Sequence, residues 1–243
     1  MSDIASFTGS RYSPTMEATR SAISIVRDRA FAFTSRGDAF DLTAALVPEF
    51  NYAVLYLLWH QFFSIATRAI CLPYIPVSDV SPVSGLSNMD DKDSGNGYKI
   101  RLVWMRPQLI SHMRSMESQI AGLATANNIL PPPTPSRLFF LDGPRLAVDI
   151  TPSRIETLSA EFFPYPANTP RHIMRYLLRE SRASHEVIEM YMGHWHVGRE
   201  PWGRFSSFDL STYLQDIRIR VNQILDALGF IVPNYRDRDD NGH

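Results

Sequence analysis

The chain has 243 residues, 44% of them hydrophobic, with 14 Phe and 10 Tyr, enough for one large domain or one domain with a small appendage. Its 24 basic and 25 acidic residues leave a net charge of −1, which excludes a uniformly basic nucleic-acid protein but not one with a basic face. A single cysteine, Cys71, excludes an internal disulfide framework and fits a reducing compartment.

The N-terminus, Met-Ser-Asp-Ile-Ala-Ser, lacks the basic-then-apolar pattern of a signal peptide. Ala, Ile and Val spaced among Arg and Glu over 14–33 predict an amphipathic helix, and residues 1–38 read as an N-terminal helical arm. Residues 39–66 read as one or two buried helices. The most apolar run, 52–72, is interrupted by His60, Gln61 and Arg68, which favours a buried helix over a membrane span. The expectation is a soluble, cytoplasmic protein without a membrane partner.

The Pro- and Ser-rich stretch from Pro73 to Ser87 predicts an irregular crossing. Asp-Ser-Gly-Asn-Gly at 93–97 is a turn signal before the alternating Lys99–Met105, so 89–105 is predicted to form a hairpin. A long helix follows over Pro107–Asn127, then the stiff connector Pro131-Pro132-Pro133. Arg137–Leu141 and Arg145–Ile150 flank Asp-Gly-Pro as a second short hairpin. Thr151-Pro152-Ser153 starts one helix and Asn168-Thr169-Pro170 another. Ser184 is placed to cap the next, and Ser207 or Asp209 the last, whose apolar stripe is Leu210, Leu214, Ile217, Val221, Ile224 and Leu225. The predicted fold class is mainly α with a small antiparallel β-sheet (α+β), in a main domain over 39–230 and a polar tail over 231–243 read as disordered.

The chemistry concentrates at 168–194. His172 and Arg175, three apart, share one face of a helix, and a second short helix stops at Gly193 to deliver His194 into a loop. Two imidazoles and a guanidinium suit a phosphodiester better than a carbonyl or a metal: Arg presents a planar fork of donors and His moves a proton near neutral pH. Of the 24 basic residues only Lys92 and Lys99 are Lys. In a chain that writes Arg nearly everywhere, a retained Lys can mark a proton donor, since Arg stays charged; chance survival explains the count equally well.

In chain order these residues, with Arg68 after the buried helix, resemble the catalytic domain of tyrosine recombinases, the phage-integrase family. The resemblance covers roughly 40–228 and rests on five pieces. They are Pro170-Arg-His172-Ile-Met-Arg175, the helix 187–194 ending in Gly-His, Ala66-Thr67-Arg68, Asp91-Lys92-Asp93 and Arg101-Leu-Val. It implies cleavage and rejoining of double-stranded DNA through a 3′-phosphotyrosine, without metal, cofactor or nucleotide, with a homo-oligomer on DNA as the expected assembly. Arg68 and Arg175 would stabilise charge developing on the phosphate oxygens. His172 would accept the tyrosine proton or orient the phosphate, His194 would donate to a phosphate oxygen, and Lys92 would protonate the leaving 5′-hydroxyl. Arg171, Arg179, Arg182 and Lys99 are candidate contacts to the DNA backbone.

The match departs from the family pattern at the nucleophile. Where the family keeps its tyrosine, this chain has Gly203; the next tyrosine is Tyr213, nineteen residues after His194. With 195–205 read as an inserted loop, Tyr213 becomes the candidate nucleophile; otherwise it is an ordinary aromatic beside the apolar stripe of its helix. Ala-Ile-Cys follows Arg68 where the family often has Glu, and the segment before residue 40 is short for the separate DNA-clamping domain these enzymes carry. Competing readings stay open: Arg68 as an ion-pair partner of Asp79, His172 as a satisfied core or cap histidine, Arg171, Arg179 and Arg182 as a solvated face, and the whole chain as an inactive DNA-binding or regulatory protein of the same type or as an unrelated helical interaction protein.

Overall fold

The computed structural model describes residues 14–35, 41–75, 80–81, 83–89, 101–194 and 209–233. Helix α1 (Met16–Thr34) starts at Thr15, whose Oγ1 accepts the Ala18 N–H at 3.1 Å. Its buried stripe of Ala22, Ile23, Val26, Ala30 and Phe33 packs on helix α2 (Val47–Ile65) within the same core as the rest of the chain. The expected N-terminal arm is therefore corrected: α1 is an integral wall of the core. Helix α2 is its centre, buried without interruption from Ala53 to Ile65. A helix apolar on all sides is one surrounded by protein. Among the described residues no helix is long and apolar enough to cross a membrane.

Around α2 stand α1, α3 (Pro107–Ala126), α5 (Thr169–Glu180) and α7 (Leu210–Leu228), with the short α4 (Pro152–Ser159) and α6 (His185–Met192) completing the helices. Thr151, Ser184 and Asp209 cap α4, α6 and α7 through their side-chain oxygens; of the two candidates for the last helix, Asp209 takes the position. Two antiparallel strand pairs are present among the described residues. Strand β1 (Leu86–Met89) pairs with β2 (Arg101–Trp104), Leu86 opposite Trp104 and Met89 opposite Arg101. Strand β3 (Phe140–Leu141) pairs with β4 (Ala147–Val148). The class is thus mainly helical with small antiparallel sheets, as expected.

The first hairpin differs in register from the prediction. Its first strand begins at Leu86, inside the stretch read as an irregular crossing, because Ser87 and Met89 turn inward while Asn88 faces out. Lys92 and Lys99 lie outside the described residues. The core also runs beyond residue 230. Phe230 is buried, stacked on Tyr56 and His60, and the Tyr56 hydroxyl donates to the Ile231 carbonyl at 2.7 Å while accepting its N–H at 3.0 Å. Burial pushes the Tyr56 phenol up to about 12. Of the predicted tail, 234–243 lies outside the described residues.

One polar pair sits inside this core. His60 on α2 and His112 on α3 are both fully buried, with Nδ1 atoms 3.2 Å apart. One ring must donate and the other accept, so at least the accepting imidazole is neutral, and burial disfavours the charged form of both. Burial holds His60 well below its ordinary value and His112 down at about 3.

Candidate functional site

The segments carrying Arg68, His172 and His194 meet where α2 ends. The last carbonyls of a helix lack intrahelical partners and carry the negative end of its dipole, so cations are favoured there. In α2 those carbonyls are fastened by three side chains from elsewhere. The Tyr191 hydroxyl donates to the Ser64 carbonyl, Arg101 Nη1 to the Ile65 carbonyl at 2.7 Å, and Arg171 Nη1 to the Ala66 carbonyl.

The same two guanidiniums also bind the end of α6. Arg101 Nη1 donates to the Tyr191 carbonyl at 2.6 Å and Arg171 Nη2 to the Met192 carbonyl at 2.7 Å. Gly193 stops α6 at φ +62, where a Cβ would lie 2.9 Å from Arg101 Cδ. The chain then turns to present His194, its N–H on the Glu189 carbonyl at 2.9 Å and its Nε2 3.4 Å from Arg171 Nη2.

Arg68 follows Ala66, whose φ of +47 ends α2 in a left-handed turn. The Ala69 N–H donates to Asn168 Oδ1 at 3.0 Å, which seats the Arg68 segment on the N-terminus of α5. Arg68 itself is exposed, as is His172 in the first turns of α5. Arg175, one turn on, is about one-third exposed and pairs through Nη2 with Glu189 Oε1 at 2.9 Å. Its Nε is buried without a hydrogen-bond partner, an unmet donor. His172 lies three and four residues before Arg175 and Tyr176, and Arg179 four and three after them, which puts all four on the solvent side of α5. Arg182, also exposed, lies just beyond the helix at φ +59.

Two expectations are corrected. Arg171 is not a surface contact to DNA: only 7% exposed, it spends both terminal nitrogens on main-chain carbonyls. Tyr213 is not presented to the site. It is 1% exposed, and its hydroxyl donates to the Leu102 carbonyl on β2 at 2.6 Å. Burial, reinforced by Tyr191 and partly opposed by Arg101, holds that phenol well above its ordinary value.

Sequence reasoning missed Arg101 and Glu189 as parts of the site. Arg101 heads an otherwise apolar strand and shares its inward side with Val103, a signal that a buried acceptor awaits it. Arg171 stands in the first turn of α5, with no acidic residue beside it. A cation is unfavourable at that end of a helix, which hints that it is held by something outside the helix.

Searches of family models, curated proteins and solved structures find no match to this chain.

Proposed function

We propose that the chain binds DNA at this site and cleaves and rejoins its strands through a phosphotyrosine, in the manner of the tyrosine recombinases it resembles. The observation that supports the reading is the meeting of three segments, 66–69, 168–171 and 192–194, around Arg171, with the buried and unpartnered Nε of Arg175 one turn further along α5. In this reading an anion is held by the guanidiniums of Arg68 and Arg175, which would stabilise charge building on its oxygens. In the reaction the tyrosine oxygen forms a bond to phosphorus and the 5′ oxygen leaves. His172 takes the phenolic proton, Lys92 supplies one to the leaving oxygen, and His194 donates to a non-bridging oxygen.

If Tyr213 is the nucleophile, its hydroxyl must part from Leu102 and the first turns of α7 must leave β2. That requirement favours a second reading, a DNA-binding protein of the same type that does not cleave. A nicked duplex substrate separates the two. Cleavage predicts a covalent protein–DNA adduct that His172→Ala and Arg175→Ala lose. The non-cleaving reading predicts binding without any adduct. Both predict affinity falling steeply with salt, and a flat salt response or no binding defeats both.

A further inference from the structure

Away from that site, a cleft of about 510 Å3 opens between the β1 end of the first hairpin, α3 and α7. A cleft of this size suits a small ligand or one segment of a larger one. Its floor is Trp104, 3% exposed. Two guanidiniums from different helices line it, Arg114 of α3 and Arg218 of α7. Arg218 lies over the Trp104 ring, its guanidinium carbon 5.6 Å from the ring centroid, a contact that leaves its N–H donors unused. Among the described residues neither arginine has an ion-pair partner and no carboxylate lines the cleft.

The remaining polar lining is hydroxyl, and two of the hydroxyls are set up to donate. Ser81 Oγ accepts the Ser84 N–H at 3.3 Å, and Ser84 Oγ accepts the Leu86 N–H at 3.2 Å. Each oxygen thus receives a backbone proton and keeps its own for another acceptor. Ser111 and Ser115, four apart on α3, face the same space with Arg114 beside them. The hairpin approaches closely enough to form this wall because Gly85, at φ +72, lacks a Cβ that would lie 2.8 Å from Trp104 Nε1.

We propose that this cleft is an anion-binding site for a phosphate-bearing ligand. Two cations and donor hydroxyls, with no opposing carboxylate among the described residues, match the several acceptor oxygens and double charge of a phosphoryl group. A cation or a neutral apolar ligand would leave these donors unmet, and a single carboxylate offers fewer acceptor oxygens and less charge than a phosphoryl group. The same chemistry is offered by a DNA backbone phosphate and by a small phosphorylated molecule, and the inference does not depend on strand cleavage at the first site.

The test is calorimetric titration of the full chain with pyrophosphate, alongside binding of a labelled DNA duplex. Arg114→Gln and Arg218→Gln are each expected to weaken pyrophosphate about tenfold, and the double variant to abolish it. Ser111→Asp, which keeps both arginines and places a like charge in the cleft, is expected to do the same. If duplex affinity falls in parallel and pyrophosphate competes with the duplex, the ligand is the DNA backbone. If the duplex binds the double variant as before, the ligand is a small phosphorylated molecule. Pyrophosphate that does not bind the unaltered chain, or binds the folded double variant equally well, overturns the proposal.

Discussion

The Tyr213 hydroxyl and the Leu102 carbonyl, 111 residues apart in sequence, are joined by a 2.6 Å hydrogen bond that ties the start of α7 to β2. Elements of the chain that the integrase reading assigns to different steps, the nucleophile and the lysine hairpin, are thereby held together in the core.

Tyr213→Phe removes that donor and leaves the rest of the ring in place, so it is expected to cost about 1 kcal/mol in urea unfolding. If α7 releases Tyr213 to act as the nucleophile, the same variant should lose the adduct on nicked DNA and keep duplex binding. An undiminished adduct would remove Tyr213 from the reaction and leave the structural cost unchanged.

The His60–His112 pair predicts acid lability. Both imidazoles are depressed by burial, so the unfolded chain takes up protons at 6.5 while the folded one resists. Their contribution is therefore complete above pH 6.5 and is lost as pH falls toward the folded value, about 3 for His112. Each site adds up to about 1.4 kcal/mol per pH unit in that window. Thermal melts across it should fall for the unaltered chain and flatten for the double variant His60→Leu/His112→Leu.

Arg171→Lys keeps a positive charge but cannot reach the Ala66 and Met192 carbonyls as a fork. A loss of about 2–4 kcal/mol is expected, seen as a lowered denaturation midpoint. Arg179→Gln, on the solvent side of α5, should leave stability within about 0.5 kcal/mol and reduce the salt slope of DNA binding. The reverse pattern would return Arg171 to the surface.

Gly193→Ala meets two obstacles, a left-handed φ of +62 and the Arg101 side chain. Together they are expected to cost about 2–3 kcal/mol, whereas Gly122→Ala, where an added Cβ meets nothing within 4 Å, should be neutral or stabilising. Equal melting temperatures for the two variants would contradict this.

Local signals were legible in the sequence and destinations were not. Thr151, Ser184 and Asp209 announce their helices because a cap works within four residues of itself. The burial of α2 follows from its unbroken apolar run. Asn168 reads as a helix cap, yet its side chain makes no cap bond and instead holds Ala69, 99 residues away. Arg171 and His172 are neighbours in sequence, but one turns into the core and the other toward solvent. That choice is made by carbonyls at the ends of α2 and α6, which no local pattern reveals. Tyr213 likewise reads either as a nucleophile or as part of a stripe, and only the position of Leu102 decides which atom its hydroxyl meets.

Three successive carbonyls, Ser64, Ile65 and Ala66, are each bound by a side chain from another element. Releasing any one of these bonds exposes a buried polar group beside the other two, so the segments opening here should do so as a unit. In native-state hydrogen exchange, the amides of Ala69, His194 and Tyr191 should then share one opening free energy and one denaturant dependence, while those in the first turn of α1 exchange independently.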